Sequence, residues 1–223
     1  MITVILVRHG QSVGNLLGMC CGQKDYPLTE QGLEQARMTG EYLRAHYHID
    51  HIYASSLTRT MQTAAPTAEA FGLETIPSDA LKEMSGGILE GVSKKEIFEN
   101  KEYYEIHCTW NDTEDFCPEG GETKRQMRER VLAFLEELIQ KHKGECIALF
   151  SHWGPLFSIC QSWDDPNHAE KRICNMEDGT LRIPNSSITV AELDDDGTLL
   201  RVKELGYNAH LGSIVSDSIK GLV

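Results

Sequence analysis

The run Ile2-Thr-Val-Ile-Leu-Val7 is β-branched and nearly all apolar, the pattern of a strand covered on both faces in a parallel sheet. His51-Ile-Tyr-Ala54 and Cys146-Ile-Ala-Leu-Phe150 are shorter runs of the same kind. Between the first two, Leu33, Ala36, Gly40, Leu43 and Tyr47 recur at helical spacing, which predicts one buried helix face. After the second run Leu57, Met61, Ala64, Ala68 and Phe71 repeat the pattern, with Pro66 predicting a kink and Gly72 a stop. Thr123-Lys-Arg-Gln126 reads as a capping box opening a helix whose stripe is Met127, Val131, Phe134, Leu135 and Leu138, ended by Gly144. Near the C-terminus Ile188 and Val190 alternate with polar neighbours, and Asp194-Asp-Asp-Gly197 turns the chain into Thr198–Leu205 as a hairpin. Strands alternating with helices predict an α/β fold of three layers, a mostly parallel central sheet flanked by helices with an antiparallel C-terminal edge. The stretch 84–122, rich in Gly, Glu and aromatics, reads as an irregular insertion or lid on one domain spanning residues 1–223.

Composition narrows the class. A chain of 223 residues hides roughly 70% of its unfolded surface, so its core needs neither disulfides nor a structural metal. Hydrophobic residues at 40% and charged residues at 25% exclude a disordered chain or a coiled coil. A formal charge of −13 opposes attraction to nucleic acid or an anionic membrane, so an anionic substrate must be drawn in locally. Cysteines at 20, 21, 108, 117, 146, 160 and 174 show no Cys-x-x-Cys spacing, which points to reduced thiols. Arg8 stops the first apolar run without a basic region before it, so no secretory signal is read, and no run reaches the ~20 residues of a membrane span. The expectation is a cytoplasmic protein without nucleic-acid or membrane partners.

In open α/β sheets, sites form beyond the carboxyl ends of the strands. There the sequence places Arg8-His9-Gly10, Ser55-Ser-Leu-Thr-Arg59 and Ser151-His152-Trp153-Gly154. Two imidazoles and two guanidiniums gathered on one edge suit phosphoryl transfer: planar cations grip the phosphate oxygens, and a neutral imidazole serves as nucleophile. The leaving alkoxide needs a proton, for which Glu83 is the leading candidate, with Glu90 and Glu122 as alternatives.

Leu6-Val-Arg8-His9-Gly10-Gln-Ser12 resembles the opening signature of the histidine phosphatase, or phosphoglycerate mutase-like, superfamily. Further landmarks resemble the family in order: Asn15, Asp25–Gly32, Ser55–Ala64, Leu81-Lys-Glu83 with Glu90-Gly91, Pro118–Thr123, Ser151-His152, Asn185–Thr189 and Asn208–Leu211. The resemblance implies His9 as the phosphorylated nucleophile, Arg8, Arg59 and His152 as the oxygen clamp, and Glu83 as proton donor. It also implies catalysis without a metal or other cofactor on a small phosphomonoester, with Asn15 as a phosphate contact. Cys21, Gly22 and Trp153 are expected as further substrate contacts.

Two departures from the pattern bear on specificity. Gly14 is expected to enlarge the rim and Trp153 to add a flat apolar surface. All charges between His107 and Lys124 are negative, which is expected to repel a second anionic group and favour hydrolysis over mutase chemistry, unless Lys94, Lys95 or Lys101 points inward. A mutase and a catalytically idle phospho-ligand binder are the alternatives. His46, His48 and His51 are read as structural, Asp194–Asp196 as a solvated turn, Cys20-Cys21 as thiols without a redox role, and Trp110, Phe116 and Tyr103-Tyr104 mainly as packing.

Overall fold

The computed structural model describes residues 1–163 and 182–216; Cys174 lies outside them. The strands β1 (Ile2–Arg8), β2 (His51–Ser55), β3 (Thr75–Ser78), β4 (Cys146–Ser151), β5 (Ile188–Leu193) and β6 (Leu199–Tyr207) form one sheet in the order β3-β2-β4-β1-β5-β6. The pairs β1–β4, β2–β4 and β2–β3 are parallel, while β5 runs antiparallel to both β1 and β6. The expected α/β class, mostly parallel with an antiparallel edge, is therefore the one observed.

Alternation along the buried strands sends side chains to two separate cores. Val4, Leu6, Tyr53, Ile147 and Leu149 pack with the stripe of α6 (Lys124–Lys141) and with Leu156 and Ile159 of α7 (Trp153–Ser162). Ile5, Val7, Ile52, Ala148 and Phe150 face the opposite way, onto α2 (Glu30–His46) and α3 (Thr58–Phe71). Helix α6 starts at the predicted capping box, where Thr123 and Gln126 satisfy each other's backbone N–H groups.

Some local expectations fail. The buried face of α2 is Gly32, Gln35, Ala36, Thr39, Gly40 and Leu43, while Leu33 is exposed: a face carrying polar residues with buried partners does not show as an apolar stripe. Helix α3 holds Pro66 inside it and ends at Gly72, the expected stop, whose φ is 67°. The stretch 84–122 is not irregular. It holds α4 (Lys94–Glu99) and α5 (Lys101–Asp112), capped by Ser93 and Asn100, around a small core of Leu89, Ile97 and Trp110. The remaining short helix, α1 (Val13–Leu16), follows β1. The Asp194–Gly197 turn is closed by the Asp194 carboxylate, which accepts from the N–H groups of Asp196 and Thr198. Among the described residues no helix is long and apolar enough to cross a membrane.

Candidate active site

Strand register assembles the site. Arg8 lies opposite Ser151 and Ala54 opposite Phe150, so the residues that follow leave the sheet side by side at its carboxyl edge. The His9 N–H donates to Ser151 O at 3.0 Å, and the His9 and His152 rings stand 5.1 Å apart between centroids. His9 Nδ1 lies 2.7 Å from the Gly10 carbonyl. A carbonyl only accepts, so Nδ1 carries the proton and the lone pair sits on Nε2. Burial, then the guanidiniums of Arg59 and Arg8, hold the imidazole well below its ordinary pKa and keep it neutral.

Arg59 is 1% exposed and points its fork inward. It donates to Gly22 O at 2.8 Å, to Lys24 O at 3.0 Å and, through Nε, to His152 Nδ1 at 3.2 Å. Arg8 donates to Ile183 O at 2.6 Å. His152 Nε2 lies 2.8 Å from Ser55 Oγ, so both of its nitrogens have protein partners. In this arrangement His152 braces Arg59 as well as facing His9, a tie to Ser55 that residue type alone did not suggest.

The three candidate acids separate by their partners. Glu90 Oε1 accepts from the N–H groups of Gln23 and Gly86 and from the Ser85 hydroxyl, so it pins two loops together. Glu122 is bound by Arg130 through Nε at 2.7 Å and Nη2 at 2.8 Å. Among the described residues the Glu83 carboxylate accepts only from Met84 N at 2.9 Å and from Gly154 N at 3.3 Å, in the first turn of α7 just past His152. A Cβ on Gly154 would lie 2.4 Å from Glu83 Oε1, so glycine is what lets the carboxylate dock there. Arg130, which the sequence did not single out, holds the acid loop from behind by donating to Ala80 O and Glu83 O.

At the rim, Asn15 Oδ1 accepts from Ser12 N and Asn185 Nδ2, which fixes its amide. Gly22 is tied to the site through its carbonyl on Arg59, and Cys21 Sγ points back to Met19 O. Gly14 does not enlarge the rim: a Cβ there would meet Cys21 Sγ at 2.4 Å and the Tyr26 ring at 2.8 Å, so those two side chains already fill the space. Trp153 stacks on Phe157 at 4.9 Å and packs against the core, which takes up one of its faces. Burial raises both rim thiols, Cys20 to about 12, so they stay protonated and poorly reactive.

The expected repulsive lid also changes. Glu114, Asp115 and Glu122 pair with Arg128, Arg125 and Arg130 of α6, which neutralises much of that acidic stretch. Lys95 and Lys101 point outward to Glu99 and Glu105. Lys94 is half-buried; burial lowers its pKa, and it lies within electrostatic reach of Arg8, Cys20 and Cys21. The charge argument against a second anionic group therefore does not hold.

Buried neutral histidines make stability depend on pH with a definite sign. His9 and His152 are held well below the ordinary imidazole value, and His210 is pushed down to about 4 by burial. Below about pH 6.5 the unfolded chain takes up protons that the folded chain refuses. Stability is then full above that pH and falls as the pH drops through it, by up to about 1.4 kcal/mol per pH unit for each histidine. Thermal melts at pH 7.5 and 5.5 should show a lower Tm at 5.5, with a smaller drop in H9Q; an unchanged drop in H9Q would remove His9 from the account.

Residues 4–205 match the model of the histidine phosphatase superfamily (branch 1). The chain is 33% identical over 208 residues to a 2,3-bisphosphoglycerate-dependent phosphoglycerate mutase of Parvibaculum lavamentivorans, covering 91% of this chain and 95% of that protein. It is 35% identical over 157 residues to phosphoserine phosphatase 1 of Hydrogenobacter thermophilus, covering 70% and 73%. Its fold matches that of a mycobacterial glucosyl-3-phosphoglycerate phosphatase with a TM-score of 0.77 at 22% identity, over 92% of this chain and 99% of that one.

Proposed function

We propose that this chain, which belongs to branch 1 of the histidine phosphatase superfamily, is a phosphomonoesterase that hydrolyses a small phosphorylated metabolite through a phosphohistidine on His9. The observation that carries this reading is the buried His9, kept neutral by burial and by the nearby guanidiniums of Arg59 and Arg8, with its Nδ1–H spent on Gly10 O and the lone pair of its Nε2 free of that bond.

In the first step Nε2 attacks phosphorus, the P–O bond to the alcohol breaks, and the alkoxide takes a proton from Glu83. In the second, Glu83 removes a proton from water, which attacks the phosphohistidine and returns phosphate and free His9. Arg8 and Arg59 supply the positive charge that offsets charge on the phosphoryl oxygens. Neither half-reaction calls on a metal, so turnover should survive EDTA.

Lys94, half-buried and within electrostatic reach of Arg8, favours a substrate with a carboxylate beyond the phosphate, a group borne by substrates named for both curated relatives. It also supports a second reading: a mutase, in which a phosphoglycerate rather than water receives the phosphoryl group. A panel of phosphomonoesters with and without a carboxylate, assayed in EDTA for released phosphate and for 2-/3-phosphoglycerate exchange, separates the two. Phosphate release is the expected outcome. Exchange faster than release would establish the mutase, and no turnover of any ester would leave a binder.

A further inference from the structure

The edge of the sheet opposite the catalytic one carries a side-chain cluster that the chemistry above does not use. His142 caps the C-terminus of α6, Gly144 turns the chain at a φ of 86°, Glu145 follows, and His51 opens β2. His142 Nδ1 lies 2.6 Å and His51 Nε2 3.1 Å from the same oxygen, Oε2 of Glu145. The donor atoms of all three residues fall within 4.8 Å of one another, and among the described residues no other group of His, Cys, Asp and Glu does so.

The backbone makes this cluster rigid. Glu145 N donates to His142 O, Thr3 N donates to Glu145 O, and His51 is in register with Ile147 of β4. The His142 side chain is 4% exposed, whereas His51 is 37% and Glu145 42% exposed, so one inner and two outer donors face an open side.

We propose that His51, His142 and Glu145 bind a divalent cation of the zinc class, with water as a fourth ligand. Two imidazole nitrogens and one carboxylate are the donor set of three-ligand zinc sites, and metal–ligand bonds of ~2.0–2.1 Å space tetrahedral donors about 3.4 Å apart. The 3.1 Å contact already matches, and the 2.6 Å contact needs only a small side-chain rotation to open. The inner imidazole has a partner on its far nitrogen: His142 Nε2 lies 2.8 Å from the hydroxyl of buried Tyr53, the second hydrogen bond that orients a ligating histidine. On ligation each ring changes tautomer, and His142 donates Nε2–H to the Tyr53 oxygen. The ion joins the start of β2 to the turn between α6 and β4, far from His9. It stabilises the fold and leaves turnover unchanged.

The test uses the full-length H9Q protein, so that the catalytic imidazole pair cannot hold the probe. Zinc chloride titrated calorimetrically should bind at one ion per chain with a Kd below about 50 μM, and Tm should rise with zinc concentration by linkage. E145Q and H51Q in that background change partly exposed side chains that the fold can spare, and each should weaken binding at least tenfold, while H48Q should not. Binding that is absent or weaker than that limit, that is unchanged in both variants, or that H48Q removes as well, overturns the proposal.

Discussion

Replacing His9 by Ala should remove turnover while leaving the fold and phosphate binding in place. The loss in phosphate release from p-nitrophenyl phosphate should be at least about 10⁴-fold, the scale seen when a nucleophile that acts as part of a unit is deleted. The variant gives up one hydrogen bond, from Nδ1 to Gly10 O, and that carbonyl keeps the Asn185 Nδ2 contact at 3.3 Å. Arg8 and Arg59 remain to hold inorganic phosphate, so its binding should survive. Rapid quenching during turnover should trap an acid-labile, alkali-stable phosphoryl label on the wild-type chain and none on H9A. A variant that keeps a tenth of the activity, or an equal label on both proteins, would assign the attack to another group.

Arg59→Met should cost about 10³-fold in kcat/KM and lower Tm as well, because this side chain has two duties. In the proposed mechanism it brings positive charge to the phosphate, and in the structure it anchors the rim loop and His152 through Gly22 O, Lys24 O and His152 Nδ1. Each buried acceptor left without its donor costs about 1–3 kcal/mol, so a Tm several degrees lower is expected. Arg59→Lys separates the duties. An ammonium keeps the charge but cannot reach three acceptors from one planar fork, so its kcat/KM should fall between wild type and Met. Lysine performing as well as arginine would show that charge alone matters; Met retaining wild-type kcat/KM would take Arg59 out of the site.

Much of the frame was legible because local pattern and global fold agree. The runs at Ile2, His51 and Cys146 became parallel strands, and Arg8, His9, Arg59 and His152 gathered where those strands end. The misreadings share a cause. Leu33 looked buried because it is apolar, but Gln35 and Thr39 occupy the interior, bonded to Ser216 Oγ and to His210 Nε2. The acidic stretch beyond His107 looked repulsive because α6 supplies its countercharges from a distant part of the chain. Gly14 looked like empty space because the thiol and ring that fill it are remote in sequence.

The sequence by itself determined the α/β class and the sheet edge on which Arg8, His9, Arg59 and His152 gather. Periodicity and residue chemistry are properties of neighbours along the chain. Only the tertiary structure decided which carboxylate stays available: Glu90 and Glu122 are taken by loops and by Arg130, whereas Glu83 is docked on Gly154. It alone half-buried Lys94 and joined His51 to His142 and Glu145 rather than to its sequence neighbours His46 and His48. Hydrogen bonds and charge pairs form over a few ångströms of space between segments far apart in sequence, so a side chain's remaining capacity is known only once its partners have been brought to it.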